Sequence, residues 1–523
     1  MEKNTAFICH ESYFWHNAGD GALFEPAGGY LQANGSVESP ESKRRFKNLL
    51  ERSGLINQLV QITPISATNE QLRYWHTQRH IDHVKTLSDG QGGDCGDSAI
   101  VGVGSYEIAC LAAGGAITAV KTVVESDTID RAYVLTRPPG HHAEEDRGMG
   151  FCLFNNVVIA ARYAQKALGI QKIVIIDWDA HHGNGTEDAF YEDDSVLFIS
   201  LHQDNLEPIG RGKPEQQGTG TGRGYTLNIP LPPASGDAVY QYAFEQIVIP
   251  AVDRFEPELI LISAGQDASI FDPLARMMVS VAGYRTMTHM VKTLADKHCQ
   301  GRVVALHEGG YCPVYVPFCS HAIVEVLAGV TTDVKDPFIY ALAGTGYDKL
   351  QPHQRTAVDH VKHQLMASAT GVSLLPPSDL ILTIKTFDQL TTGELYGILK
   401  LRSQVFVVEQ TSIYNDVDDK DIVAYHLWYS DANGICAYLR VLPAGVSYPQ
   451  ASIGRVITTQ RGIGLGKRIM TAGLAVAREQ GATQVKLAAQ THAQGFYEKL
   501  GFVVDGDVFD LDGIDHVAMV VGI

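Results

Sequence analysis

Between Ile173 and Gly185 the sequence reads IVIIDWDAHHGNG, an apolar run that ends in acids, histidines and glycines. Asp179 and His181 lie two apart, so on an extended segment their side chains point to the same side. Three other apolar runs end in comparable chemistry: RAYVLT leads to RPPGHH with His141 and His142, PELILISAG leads to Gln266 and Asp267, and RVVAL leads to HEGGY with Tyr311. Asp179, His181 and Asp267 would make a three-ligand zinc site with one position open for water. Zinc lowers the pKa of bound water toward ~7 and so yields a nucleophile at neutral pH. One histidine of the His141–His142 pair can act as base and then acid, and Tyr311, on a Gly-Gly turn, can donate to an oxyanion. Each motif alone has an ordinary reading, a solvated histidine pair or an aspartate capping a helix. Four together supply metal ligands, base and oxyanion donor at once.

Strands must carry these groups to one place. The four runs are rich in Val, Ile and Leu, as strands covered on both faces are. Helical stretches such as FNNVVIAARYAQKALG separate them, so the class is α/β with a parallel sheet. In such sheets ligands bind beyond the carboxyl ends of the strands, and four strands delivering polar groups to that edge imply one shared site. A chain of 523 residues exceeds one hydrophobic core. Residues 1–365 read as the first domain, 366–380 as a linker and 381–523 as a second domain. The linker lies in HQLMASATGVSLLPPSDL, which mixes small residues with a Pro-Pro pair.

Composition narrows the setting. The net charge of −18 repels nucleic acid. The eight cysteines are scattered without a CxxC pair, as suits free thiols in a reducing cytoplasm. The N-terminus carries no signal-peptide pattern. No apolar run reads as long enough to span a bilayer, so no membrane partner is expected; a homo-oligomer is compatible with the sequence.

The segments GGDCGD, RPPGHHAEEDRGMGFCLFNN, DWDAHHGNGT, ISLHQ, GRGYTLNIPLPP, SAGQDASIFDPLARMM and HEGGY resemble the histone deacetylase superfamily, specifically the bacterial class II histone deacetylase-like amidohydrolases. The resemblance implies an arginase/deacetylase-type parallel sheet flanked by helices, zinc on Asp179, His181 and Asp267, and hydrolysis of N-acyl amides. It implies His142 as general base and acid with His141 as its electrostatic partner. Asp177 would orient His141, Asn184 would orient His142, and Tyr311 would polarise the acyl carbonyl. A structural potassium ion is implied near Asp177, Asp179, His181 and Ser200. Gly150 and Phe151 would line the acyl tunnel. Two departures stand out. The place of a second tunnel aromatic holds Glu207, and Leu274 stands where a polyamine-selective relative carries a gatekeeping glutamate. Acetyl-lysine proteins and acetylated small amines are therefore both admissible partners. Glu144, Glu145 and Asp146 would ring the tunnel mouth, and Asp97, in competition with Asp94, would hold substrate backbone at the rim.

In the second domain QRGIGLGKRIM carries R-x-x-G-x-G, opening a helix. Backbone N–H groups at such a turn cradle phosphate. Together with GFYEKLGF, LRSQVFVVEQ, IGRV and DGIDHVAM, it resembles the ElaA-like branch of the GNAT acetyltransferases, an α+β fold. The implied ligand is acetyl-CoA, with its pyrophosphate on Arg461, Gly462, Gly464 and Gly466, and Tyr497 as acid for the departing thiolate. The stretch between GRV and RG is shorter than that branch's pattern. The alternatives are a module that binds acetylated amines beside a degenerate GNAT domain, and an arginase-like metallohydrolase. A binder needs no general base, and a two-metal arginase site needs further bridging carboxylates.

Overall fold

A computed structural model describes residues 4–22, 25–26, 30, 32, 34–367, 381–409, 415–431, 434–459, 465–511 and 513–523. The chain divides into two units. One comprises Met1–Leu365 with Thr370–Leu375, and the other Met366–Ala369 with Pro376–Ile523.

The first unit is built on eight strands: β1 (Asn4–Ile8), β2 (Val60–Ile62), β3 (Ile129–Val134), β4 (Ile173–Asp177), β5 (Val196–Gln203), β6 (Thr226–Leu231), β7 (Leu259–Ala264) and β8 (Val303–His307). They form one sheet in the order β6-β5-β4-β7-β8-β3-β1-β2. Every pairing in it is parallel. The four motif-bearing runs become β3, β4, β7 and β8, which are consecutive in this order. Their carboxyl ends are therefore neighbours, and Asp177 stands in register with both Ser200 and Ser263.

Residues of both parities on β4, β5 and β7 are buried, because helices cover both faces. Helices α1 (Glu41–Ser53), α2 (Ser105–Glu125), α3 (Asn156–Leu168), α4 (Asn184–Phe190), α5 (Val281–His298), α6 (Val316–Ala328) and α7 (Pro352–Ala367) belong to this unit. Residues of α2, α3 and α4 share one core with Ala132, Val134, Ile173, Ile175, Leu259 and Leu261. Helix α2 corrects the reading that no segment reaches membrane-spanning length: it has that length and hydropathy, but 67% of its apolar window is buried inside the unit. Gly114 shows why it fits there, since a Cβ would stand 1.8 Å from the Ile65 carbonyl oxygen. Helix α7 also runs two residues into the expected linker, whose remainder lies outside the described residues.

The second unit holds β9 (Ile381–Thr386), β10 (Tyr425–Asp431), β11 (Gly434–Leu442), β12 (Ala451–Thr458), β13 (Gln484–Gln490), β14 (Val503–Leu511) and β15 (Ile514–Gly522). Their order is β9-β10-β11-β12-β13-β15-β14. Helices α8 (Thr392–Arg402), α9 (Leu465–Glu479) and α10 (Gln494–Glu498) accompany them. Alternate strand residues face opposite sides of a sheet. Leu427, Leu439 and Val441 pack with Leu465, Ile469 and Met470 of α9, whereas Trp428 and Tyr438 pack with Ile398 and Leu401 of α8. Helices α8 and α9 thus cover opposite faces.

On the α8 side a buried ion network closes the unit. The fully buried Arg402 guanidinium donates to both Asp421 oxygens at 2.9 Å and to Asp416 at 2.8 Å. Arg440 donates to Asp418 and Asp421, and Arg455 to Asp416. Removing one partner strands a buried charge, which costs about 3–5 kcal/mol. Asp421→Ala is therefore expected to lower the unfolding transition of the second unit in calorimetry by an amount of this order. The transition of the first unit should be unchanged.

Candidate functional site

The carboxyl ends of β3, β4, β7 and β8 meet in one buried site. One ligand atom each from Asp179, His181 and Asp267 converges, all within 4.8 Å of one another. His181 Nδ1 lies 2.8 Å from Asp267 Oδ2 and 3.2 Å from Asp179 Oδ1. The remaining carboxylate capacity is used by backbone. Ala180 N–H donates to Asp267 Oδ1 at 2.7 Å, and Gly309 N–H donates to Asp179 Oδ2 at 2.8 Å. Both carboxyls are fully buried. Burial, and then the Asp179 charge, push Asp267 well above the usual carboxylate range. Two acids and an imidazole so placed are the donor set of a zinc site, and a dication there removes the repulsion that otherwise holds a proton among them. Glycines make the room. A Cβ at Gly265 would meet Asp179 Oδ2 at 2.1 Å, and one at Gly309 would meet Asp267 at 2.5 Å and Asp179 at 2.6 Å.

The histidine pair stands beside this cluster with ring centroids 4.0 Å apart. Asn184 Nδ2 donates to Glu144 at 2.9 Å, so its Oδ1 is turned to His142 Nδ1, 2.8 Å away. An amide oxygen only accepts, so His142 Nδ1 carries the proton and Nε2 keeps its lone pair. Burial, reinforced by His141 and His181, holds the His142 pKa well below its ordinary value, so the ring is neutral. His141 behaves oppositely. Burial opposes its charge, but Asp179 and Asp177 outweigh burial and raise it to about 10. Its Nδ1 lies 3.0 Å from Asp177 Oδ2. Gly150, with φ of 51°, passes so close that a Cβ would lie 2.5 Å from the His142 ring.

Across the site Phe151 and Tyr311 pack edge to face with centroids 5.7 Å apart. Burial raises the Tyr311 phenol well above its ordinary pKa, so it stays protonated. Contacts absent from the sequence reading fix its loop. Asp272 Oδ2 accepts from Tyr311 N–H at 2.8 Å, Ser42 Oγ donates to the Gly310 carbonyl at 2.8 Å, and Lys43 Nζ lies 5.5 Å from the ring centroid. Lys43 is itself buried against Glu38, which also binds Arg137. Glu308, beside His141, was equally unforeseen. It accepts from Gly140 N–H at 2.6 Å, and burial raises it to about 7.

The rim differs from the sequence reading. Glu144 pairs with Arg147 and accepts from Asn184, and Asp146 pairs with Arg79 and Thr77. Glu144 and Asp146 are thereby matched, whereas Glu145 is exposed. Glu207 is exposed and, among the described residues, accepts from Ile209 N–H at 3.1 Å. Leu274 is half-buried on the loop that holds Asp272, whose Oδ1 accepts from Leu274 N–H. Asp94 is occupied by three backbone N–H groups, of Gly96, Ser98 and Ala99, whereas Asp97 is exposed. Asp97 is accordingly the better rim candidate of the two. Ser200 Oγ lies 2.9 Å from His202 Nδ1.

With this geometry in place, a histone deacetylase domain model matches residues 36–327. The chain belongs to the histone deacetylase family. It is 46% identical over 383 residues to a histone deacetylase-like amidohydrolase of Pseudomonas aeruginosa, covering 73% of this chain and 99% of that protein. It is 40% identical to a probable deacetylase of Archaeoglobus fulgidus over 57% of this chain and 84% of that one. Among solved structures the HDA15 HD domain aligns with a TM-score of 0.61 at 31% identity, over 70% of this chain and 94% of that one. The deacetylase-family sheet is thus followed by a different domain: an acetyltransferase (GNAT) model matches residues 451–522.

In that second unit β12 and β13 pair only at Ala451–Val485 and Ser452–Lys486, then separate. The gap opens into a cavity of about 950 Å³ whose lining includes Gly454, Ala488, Gly466 and Tyr497. Arg455 sits in the left-handed region with φ of 57° inside a strand, a strain of about 1–3 kcal/mol that concentrates at functional sites. Tyr497 is 9% exposed, and burial raises it to about 12. Of the expected phosphate loop, Arg461, Gly462 and Gly464 lie outside the described residues; Gly466 lines the cavity.

The glycine contacts yield a test within the deacetylase family site. Gly309→Ala should displace Asp179 and Asp267 together and lower metal affinity roughly 10–100-fold, the scale of losses at supporting positions. Competition with a chelator measures it, and the fold should survive by circular dichroism.

Proposed function

We propose that the first unit is a zinc-dependent deacetylase acting on N-acetylated amines, with zinc held by Asp179, His181 and Asp267. The observation that carries this reading is the convergence of those three donor atoms beside a neutral histidine with a free lone pair. When bound, zinc polarises the acyl carbonyl and acidifies water. His142 Nε2 takes the proton of the attacking water and later returns one to the amine nitrogen. His141, held positive by Asp177 and Asp179, draws negative charge toward the site. Tyr311 O–H donates to the acyl oxygen as it gains charge. Phe151 flanks the acyl chain and keeps water from its sides.

The purified protein should carry about one zinc per first unit. Asp179→Asn should lose both metal and activity. Tyr311→Phe should keep the metal and lose roughly 10²–10³ in rate. Full activity after complete metal removal would end the reading.

Substrate choice rests on Glu207, which stands where the family pattern has an aromatic. With Glu144 and Asp146 matched, Glu207, Glu145 and Asp97 are the exposed acids left to favour a cationic amine. An exposed ion pair changes affinity by up to roughly five-fold, and salt weakens it. Cationic acetylamines such as acetylpolyamines should exceed neutral acetanilides in kcat/KM at low salt, and acetyl-lysine compounds should still react. Glu207→Phe should reduce that preference without harming neutral substrates. Equal values in the wild type at low salt would place Glu207 off the substrate path.

The second unit is proposed to bind acetyl-CoA across the gap between β12 and β13, with Arg461, Gly462, Gly464 and Gly466 at its pyrophosphate and Tyr497 protonating the departing thiolate. Support comes from the strand separation and the cavity. Calorimetry of the full chain with acetyl-CoA tests it. Arg461→Ala with Gly464→Val should abolish binding while sparing deacetylation, and absence of wild-type binding would overturn the reading.

A further inference from the structure

The cavity of the second unit is lined by residues from both faces of its sheet. Gly466 and Lys467, at the start of α9, line it on the α9 face. Val517 and Met519 of β15 pack into the α9 core, so His516, one residue out of phase, lies on the α8 face. Arg440, in phase with Tyr438, lies there too. Asp418, Lys420 and His516 all line the cavity. A thioester threaded through the gap from the α9 side therefore presents its acyl carbon to groups of the α8 side.

Arg402, Arg440 and Arg455 bind Asp416, Asp418 and Asp421. Asp418 has both oxygens engaged by Arg440, so it is a poor partner for an incoming ammonium group. Lys420 forms no ion pair among the described residues, although it lines the cavity and is half-buried. Among the described residues that line the cavity, Lys420, Arg440, Arg455 and Lys467 outnumber Asp418, so the charge surplus there is positive. His516 Nδ1 lies 2.8 Å from the Ile514 carbonyl oxygen. A carbonyl only accepts, so Nδ1 carries the proton and the Nε2 lone pair is left available as a base.

Resting on the acetyl-CoA reading of this unit, we propose that its acceptor is a primary amine that also carries a carboxylate, an amino-acid-like molecule, with the carboxylate held at Lys420 and the amine deprotonated by His516. The ammonium gives one proton to His516 Nε2, and the freed nitrogen lone pair attacks the thioester carbon. The C–N bond forms and the C–S bond breaks, the second amine proton is lost to solvent, and Tyr497 supplies the proton that makes the free thiol. A positive acceptor end disfavours polyamines. The two units then act on different pools of amine, the first on cationic acetylamines and the second on anionic acceptors.

The test uses the full chain. Acetyl-CoA binding is measured by calorimetry, and thiol release from acetyl-CoA is followed with a panel of free amino acids, their carboxamides, and spermidine. At least one amino acid should exceed its own carboxamide about ten-fold or more in kcat/KM, roughly the effect of a charge-assisted contact, and spermidine should be poorer still. Lys420→Glu should erase the carboxylate preference. His516→Ala should lower kcat by roughly 10²–10⁴ with acetyl-CoA affinity unchanged, and added imidazole should restore part of the rate. Binding of acetyl-CoA with equal or preferred use of carboxamides or spermidine, or with release by no amine, overturns this proposal alone. Absence of acetyl-CoA binding overturns the cofactor reading and this one with it.

Discussion

Asp177, Asp179 and Asp267 lie fully buried at the carboxyl ends of β4 and β7, and much of the first unit exists to make that arrangement tolerable. An unmatched buried charge costs several kcal/mol, against a net stability of about 5–15 kcal/mol for a whole domain. The compensation is local and specific. His141 sits between Asp177 and Asp179, Gly309 and Ala180 turn their N–H groups onto the remaining oxygens, and His181 closes the cluster. A dication, as proposed, would complete it. The neutral state of His142 follows from the same arrangement, because burial and the positive ring of His141 beside it disfavour a second charge in a dry site. A base that is unprotonated at neutral pH is thus a consequence of how the acids are matched.

The second unit matches its buried charges among side chains. Its buried guanidiniums and carboxylates balance one another through Arg402, Arg440 and Arg455. This network occupies the α8 face, beside the opening between β12 and β13. The left-handed Arg455 switches the phase of β12: Ile453 packs toward α9, but Ile457 packs toward α8. One left-handed residue thus switches which face β12 presents beside the cavity.

The sequence disclosed the parts of the site whose members are close in the chain. Asp179–His181, the His141–His142 pair and Gly309–Gly310–Tyr311 each announce themselves because a strand end brings them together within a few residues. The parallel sheet was legible from the four apolar runs, whereas β1, β2, β5 and β6 were not singled out. Contacts made only by folding stayed hidden. Ser42 and Lys43 are far from Tyr311 in sequence, and nothing local marks a buried lysine on α1 as its neighbour. The acids after His142 read as a free rim because Arg79, the partner of Asp146, lies 67 residues away. Helix α2 was passed over as a membrane-length segment because its small residues, such as Gly114, blend with ordinary core composition. The choice between Asp94 and Asp97 turned on backbone N–H groups that composition does not reveal.

The central claim is that the buried acids of β4 and β7 are built around a divalent cation. Differential scanning calorimetry of the metal-stripped full chain, repeated with zinc added, tests it without reference to turnover. A ligand that binds only the folded state at 100 times its Kd stabilises by about 2.7 kcal/mol. The transition of the first unit should therefore rise by several degrees with zinc, that of the second unit should stay put, and Asp179→Asn should abolish the response. A first-unit transition that is the same with and without zinc would contradict the account.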